Sequence, residues 1–518
     1  MDIHVGRQTF NIPCRRFSIR LTVSNKERLP LVKEFALRYL YVAGSCDAEA
    51  LRHFFGFSER ELSILLGDLR GEGLADISGE DVALSEKGRD IFHESKDGAP
   101  TIQSVEKWNE KFAIDFLSFS IIHFESRSEG YRCFHGLVST DLEKVSRSKE
   151  IAKEVFADSF HEYVERYKAD VGNEERARLS IYGITSVESG DKFEFPLSVD
   201  LYVSSENTKQ VDQRYVVFNS DAAQEKRRRI VQEVANTISD MKGKSKFGTD
   251  VLWLTQEQLS VPFFSQFVRD GRLDVGRALE GARQFGDSAA SEVVTIPIAG
   301  PFYVDENASI MWDFIRKATG HIKTDENKSE ANLSNAIFWQ KPSSELWGRD
   351  DETYSMMSRI RREATSVVAG SSELNLVFNS KYENPKKLKW RLTRRNNRNV
   401  FDKGFSTAFR DEMGPVEAFL WPGVVGGVLY YYLEDDSSEY PIPLGFVTRD
   451  PELLGSLSKF LFTQWAGFGR KVKQHWPSKG GSDSEREIAS REVFSALVGS
   501  ATAKKSSSRT LTLPKRDS

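Results

Sequence analysis

Cysteine is scarce in this chain: three in 518 residues, at positions 14, 46 and 133. An odd, scattered set builds neither a disulfide framework nor a zinc spacing, and it suits reduced thiols in a cytoplasmic protein. Long apolar runs are missing too. No stretch approaches the ~18–20 residues of a membrane span, and the opening MDIHVGRQTFNIPCRRF lacks the apolar segment of a secretory signal. Nor does one sign of charge dominate. The chain has 72 Lys and Arg against 76 Asp and Glu, a net charge of −4, so any contact with nucleic acid has to come from a local patch. Catalytic signatures are equally thin. The eight histidines, His4, His53, His93, His123, His135, His161, His321 and His475, form no HExxH and no pair at metal-ligand spacing. There is no phosphate-binding GxxxxGK loop and no GxSxG nucleophile elbow. The sequence therefore calls for no cofactor and no metal.

What is present is a chain that can build cores. The apolar fraction is 39%, the aromatic fraction 11% and the mean hydropathy −0.45, the profile of a soluble globular protein. At roughly 100–200 residues per domain, its length predicts three or four units. Composition shifts divide it into an N-terminal strand segment (1–30), a helical module (31–96), an α/β domain (102–240), a second α/β domain (250–476) and a flexible basic tail (477–518). Alternation predicts strands in RRFSIRLTVS, FEFPLSVDLYV, SELNLVFNS and GGVLYYYLEDDSSEYPIPLGFVT. Helices are expected from Ser220 or Asp221 to Met241, after Thr255, and after Asp450 with Pro451 at the first position. GHIKTDENKSEANLSN reads as a polar loop, and SEREIASREVFSALVGS as a short helix.

The clearest local pattern runs from Asp47 to Phe92. Asp47 caps a helix that Gly56 ends. Ser58 and Glu61 form a capping box that starts the next helix. On that helix Leu62, Leu65, Leu66 and Leu69 recur at helical spacing and form a buried face. LADIS and VALS are short strands around the turn GED, and Ser85 caps EKGRDIF. With Gly73, Leu74, Leu84, Gly88 and Arg89 in place, this stretch resembles a winged helix–turn–helix of the MarR-like kind. That resemblance covers about 65 residues and implies a fold more than a function. The charge argues against DNA reading. Leu31 to Ser95 holds seven Lys and Arg against thirteen Asp and Glu, a balance of −6, and the wing itself is SGED. The face opposite the leucines is Arg60, Ile64, Gly67 and Gly71. Base edges are read by Arg, Lys, Asn and Gln. A face with a single cation, an isoleucine and two glycines instead suits docking of another protein.

Basic character is concentrated at NPKKLKWRLTRRNNRN (384–399): Lys386, Lys387, Lys389, Arg391, Arg394, Arg395 and Arg398, with no acid, and Trp390 among them. Cations neutralise phosphates and an interleaved Trp can stack on a base, so these eight residues are the expected nucleic-acid contacts. EKRRR (225–229) and RKVKQHW (470–476) add further charge. The chain YPIPLGFVTRDPELLGSLSKFLFTQW resembles the closing strand and helix of phospholipase-D-like domains, including regulatory versions without catalytic residues. HIKTDENK is similar to that family's HxKxxxxD motif. The resemblance would make His321 the nucleophile and Lys323 the charge-stabilising group, yet the acid's position is Lys328 and no second HxK occurs. Asp200 and Asp250 could each be a nuclease's first metal ligand, but no (D/E)xK follows closely, and a cap or turn role suits them better.

The expected fold class is α/β multidomain: an N-terminal winged helix followed by mixed α/β domains, the last with phospholipase-D-like character. The leading functional reading is a non-enzymatic, nucleic-acid-associated adaptor or sensor with no membrane partner. Its winged helix docks a protein and its 384–399 patch meets DNA or RNA. That layout resembles accessory components of bacterial antiviral defence systems. Two alternatives stay open: a phosphodiesterase or nuclease using His321 and Lys323, and a winged-helix transcription regulator.

Overall fold

A computed structural model describes residues 1–93, 101–122, 134–168, 171–215, 227–250, 263–288, 293–324, 334–368, 372–392, 400–466, 472–476 and 486–488. It is a mixed α/β protein with two compact units, each assembled from separated parts of the chain. One comprises residues 14–125 and 139–192, the other residues 1–13, 126–138 and 193–518. Two long strands, β1 (Asp2–Arg28) and β7 (Leu179–Ser204), carry the chain through both. The single strand expected at RRFSIRLTVS is thus the middle of a 27-residue one.

In the first unit, residues 14–28 of β1 pair antiparallel with β5 (Thr101–Asp115), Phe17 facing Phe112 and Leu21 facing Trp108. Phe17, Ile19, Leu21 and Val23 alternate onto one buried face. They pack on Ala152 and Phe156 of α6 (Ser148–Asp158) and on Phe160, Tyr163 and Val164 of α7 (Phe160–Tyr167). Short helices α5 (Leu142–Ser146) and α8 (Asn173–Arg176) flank that pair.

The same unit holds a helical module with its own core. Its order is α1 (Leu31–Ala43), β2 (Ser45–Asp47), α2 (Ala48–Phe55), α3 (Glu59–Gly71), β3 (Ala75–Ser78), β4 (Asp81–Leu84) and α4 (Glu86–His93). The local signals act where the sequence places them. Asp47 accepts from the Glu49 amide at 2.7 Å, and Gly56 ends α2 at φ 72°. Ser58 and Glu61 form a reciprocal capping box, and Ser85 accepts from the Gly88 amide at 2.9 Å. Leu62, Leu65 and Leu69 are buried with Leu37, Leu40 and Leu51, while Leu66 sits at the edge. Strands pair in the order β2-β4-β3, so the hairpin is tied to the segment between the first two helices.

The second unit is built on a nine-stranded sheet, ordered β11-β17-β16-β15-β12-β13-β14-β18-β19. Before it come β6 (His135–Gly136), β8 (Asn207–Tyr215), α9 (Arg228–Gly243), β9 (Val268–Arg269), β10 (Arg272–Leu273) and α10 (Val275–Ser288). The sheet strands are β11 (Thr295–Ala299), β12 (Ala336–Gln340), β13 (Glu373–Asn379), β14 (Lys403–Thr407), β15 (Val416–Trp421), β16 (Val425–Tyr432), β17 (Ile442–Thr448), β18 (Val472–Trp476) and β19 (Arg486–Ile488). The accompanying helices are α11 (Asp305–Thr324), α12 (Asp351–Val367), α13 (Pro385–Leu392) and α14 (Pro451–Ala466). β12, β13 and β14 run parallel; the other pairs are antiparallel. Ile337 and Trp339 face a core with α11 and α12, whereas Phe338 packs on Trp465 of α14. Covered on both faces, β12 and β15 to β17 are buried at every position, which is why they read as apolar runs rather than alternations.

Three expectations need correction here. The polar loop at 320 begins instead as helix, because α11 continues to Thr324. Arg486–Ile488, expected in a helix, is a strand, because its backbone pairs with β18. Asp200 is no cap or turn residue: it sits inside β7, where Arg7 Nη2 holds its carboxylate at 2.7 Å. The expected starts at Ser220, Asp221 and Thr255 lie outside the described residues, and the first of these helices is described from Arg228.

Candidate functional site

The basic run at 384–399 becomes α13 over its first half, and the helix sorts its residues by period. Leu388, Arg391 and Leu392, at i, i+3 and i+4, are buried. Lys386, Lys387 and Trp390 point outward, Trp390 with 56% of its surface exposed, and Lys389 is half-buried. Asn384 starts the helix by accepting from the Lys386 and Lys387 amides at 3.0 and 3.1 Å. Arg394, Arg395 and Arg398 lie outside the described residues.

Arg391 therefore leaves the expected set of surface contacts. Its guanidinium is drawn into a charge cluster because α13 packs over the segment that follows β12. Nη1 donates to Glu345 at 3.1 Å, and Nη2 lies 3.8 Å from Glu383. Arg349 Nη2 donates to the same Glu345 carboxylate at 2.7 Å. Lys341, fully enclosed, donates to the carbonyls of Pro342 and Ser344 at 2.9 and 3.0 Å and pairs with Glu383. Burial pushes the Lys341 and Arg349 pKa values down. Burial works to raise Glu345, but the Arg391 and Arg349 guanidiniums override it and hold its carboxyl low.

This cluster floors a cleft of about 780 Å3 beyond the carboxyl ends of β12 and β13. Loops at that end of parallel strands commonly carry ligand sites. Phe134, His135, Tyr382 and Trp390 supply aromatic walls. Burial, with Arg349 and Lys244 nearby, lowers the His135 pKa, so its ring is neutral at neutral pH and can donate or accept one hydrogen bond. None of these partners was legible in the basic run. The available signal was QKPSSELWGRD, a polar segment directly after a wholly buried strand.

Next to the cluster the segment closes on Asp350, which caps α12. Its carboxyl accepts from the Thr353 amide at 2.5 Å and from the Thr353 hydroxyl at 2.8 Å. Burial raises its pKa to about 7 from an ordinary 3.8. Between those values the folded chain holds a proton that the unfolded chain releases. This group's contribution to stability therefore falls as pH rises through that window, by about 1.4 kcal/mol per unit, and levels off above pH 7. Asp350→Asn keeps the cap and removes the titration. Urea unfolding at pH 5 and pH 8 is expected to show the variant gaining on the wild type by about 2–3 kcal/mol at the higher pH. Parallel pH profiles for the two proteins would contradict this assignment.

His321 and Lys323 stand in the last turn of α11; their side chains, and Lys328, lie outside the described residues. Arg60, Ile64, Gly67 and Gly71 all sit on the exposed face of α3, Ile64 with 57% exposure. A Cβ added to Gly67 or Gly71 would meet nothing within 4 Å. Among the described residues there is no group of three His, Cys, Asp or Glu able to hold a metal, and no helix long and apolar enough to cross a membrane.

No protein-family model and no curated protein matches the chain. A solved structure of TrmBL2, described as an archaeal chromatin protein showing a novel mode of DNA binding, is similar at 8% identity, over 84% of this chain and 92% of that one, with a TM-score of 0.19. At that score the likeness carries no argument.

Proposed function

We propose that the protein is a non-enzymatic, nucleic-acid-associated adaptor, with α13 as its polyanion contact and the α1–α4 module as a winged helix that docks a protein. The observation that carries the reading is the outer face of α13. Lys386 and Lys387 are exposed beside an exposed Trp390, no acid lies within the helix, and the face borders a cleft. Cations placed this way release counterions from phosphates, and each contact steepens the salt dependence of binding.

The winged-helix role rests on charge and surface. The face opposite the leucines offers one cation, Arg60, beside Ile64 and two glycines that nothing in the module requires to be glycine. The turn carries Glu80 and Asp81. Those features suit the close approach of another chain better than a phosphate backbone, which ranks the transcription-regulator reading lower. The same layout keeps the defence-accessory reading as part of this proposal.

The test is a salt titration of oligonucleotide binding. Lys386→Glu with Lys387→Glu is expected to weaken binding at least tenfold and to reduce the salt slope by about two, while Arg60→Ala leaves both unchanged. Unaltered binding in the double variant would remove α13 as the contact. Loss of binding in Arg60→Ala would move the contact to the winged helix.

A further inference from the structure

We infer that the cleft beside α13 takes an unpaired nucleobase, so that the protein grips a single strand or a strand end rather than intact duplex. The inference rests on the reading of α13 as a nucleic-acid contact and assigns it a ligand.

Charge decides which part of a nucleotide enters. Within the cleft Arg349 and Arg391 face Glu194, Glu345 and Glu383, with the exposed Lys387 at its edge. Three carboxylates repel a phosphate, and the two arginines are already committed to them. Outside, Lys386 and Lys387 project from α13. The balance places the phosphates on the rim and an uncharged group within.

The lining fits a heterocycle. Trp390, more than half exposed, lines the cleft together with Tyr382, Phe134 and His135. Base stacking on such rings tolerates any sequence because every base has a π-face. Polar capacity is also left over. Arg391 is 9% exposed, yet its Nε and Nη2 have no hydrogen-bond acceptor among the described residues, Nη2 having instead the 3.8 Å ion pair with Glu383. Buried donors without acceptors are costly, and base edges carry carbonyl and ring-nitrogen acceptors. The carboxylates in turn can accept from an exocyclic amine. At about 780 Å3 the cleft lies within the ~300–1,000 Å3 of sites that enclose small ligands. A duplex keeps its bases stacked and paired, so a base must be unpaired to enter.

The experiment measures fluorescence anisotropy of a short labelled single strand and of a blunt hairpin that joins this strand to its complement through a non-nucleotide linker, at fixed salt, with AMP as the free-nucleotide competitor. Wild type is expected to prefer the single strand by about tenfold. Trp390→Ala should erase that preference by weakening the single strand, and Trp390→Phe should retain most of it. Trp390 is an exposed residue, so its loss leaves the core intact. Equal wild-type binding to strand and hairpin, or a preference that survives Trp390→Ala, overturns base insertion while leaving the α13 contact standing. Displacement of the strand by AMP at equal nucleotide concentration overturns strand gripping in favour of a free nucleotide. Failure of wild type to bind either probe at low salt overturns the nucleic-acid reading itself.

Discussion

Glu417→Ala is expected to lower the stability of the nine-stranded unit by more than 3 kcal/mol. Glu417 lies on β15, a strand with every residue buried. Its Oε1 accepts from the Trp339 indole at 2.7 Å and from the Trp347 indole at 2.8 Å, and Oε2 accepts from the Tyr431 hydroxyl at 2.7 Å. Burial pushes the Glu417 pKa up, and these three donors pull it back. Truncation leaves all three donors in the core without an acceptor, each at a cost of about 1–3 kcal/mol, and adds a cavity. The losses share one site and fall short of a simple sum. Glu417→Gln keeps an oxygen for the two indoles, and the Tyr431 hydroxyl can turn to accept from the new amide, so it should cost well under half as much. Urea unfolding followed by tryptophan fluorescence gives both numbers. An alanine variant within 1 kcal/mol of wild type would show that the network contributes nothing to the fold.

Gly88→Ala should destabilise the α1–α4 module by at least 2–3 kcal/mol, against the direction that helix propensity alone dictates. An alanine in a helix is ordinarily better than glycine by about 1 kcal/mol. Here a Cβ at position 88 would stand 2.1 Å from the Leu74 carbonyl oxygen and 3.1 Å from a Leu84 methyl. The oxygen is backbone, held by the Ser85 amide at 3.1 Å, so it cannot swing aside as a side chain would. Either α4 lifts from the hairpin or the Ser85 cap breaks. Hydrogen exchange over residues 31–93 is the direct readout, with faster exchange expected in α4 and in the β3–β4 hairpin. Protection equal to or above wild type would mean that α4 tolerates the displacement.

That glycine also explains what was readable in advance. The module's signals span a few residues each: caps at Asp47, Ser58 and Ser85, a leucine period on α3, and glycines where α2 ends and α4 meets the hairpin. Such interactions are completed within one or two turns, so their spacing is written in the chain. Even the division of the basic run followed a local rule, since Leu388, Arg391 and Leu392 share one helical face. That period turns Arg391 inward while its neighbours Lys386 and Lys387 stay exposed.

Sequence by itself determined the α1–α4 module, the spacing that can put Leu388, Arg391 and Leu392 on one helical face, and the near-neutral, cysteine-poor character of the chain. Tertiary structure alone decided the rest. Strand order in the nine-stranded sheet joins β12 to β13 and β15, and with it Trp339 to Glu417, 78 residues apart. It sets Lys341 against Glu383 and Arg391 against Glu345, 42 and 46 residues apart. Strands buried on both faces look alike as apolar runs, and nothing in an apolar run names its neighbour. The partners of a buried charge are chosen by which strands lie side by side, and that choice is made by packing over the whole sheet.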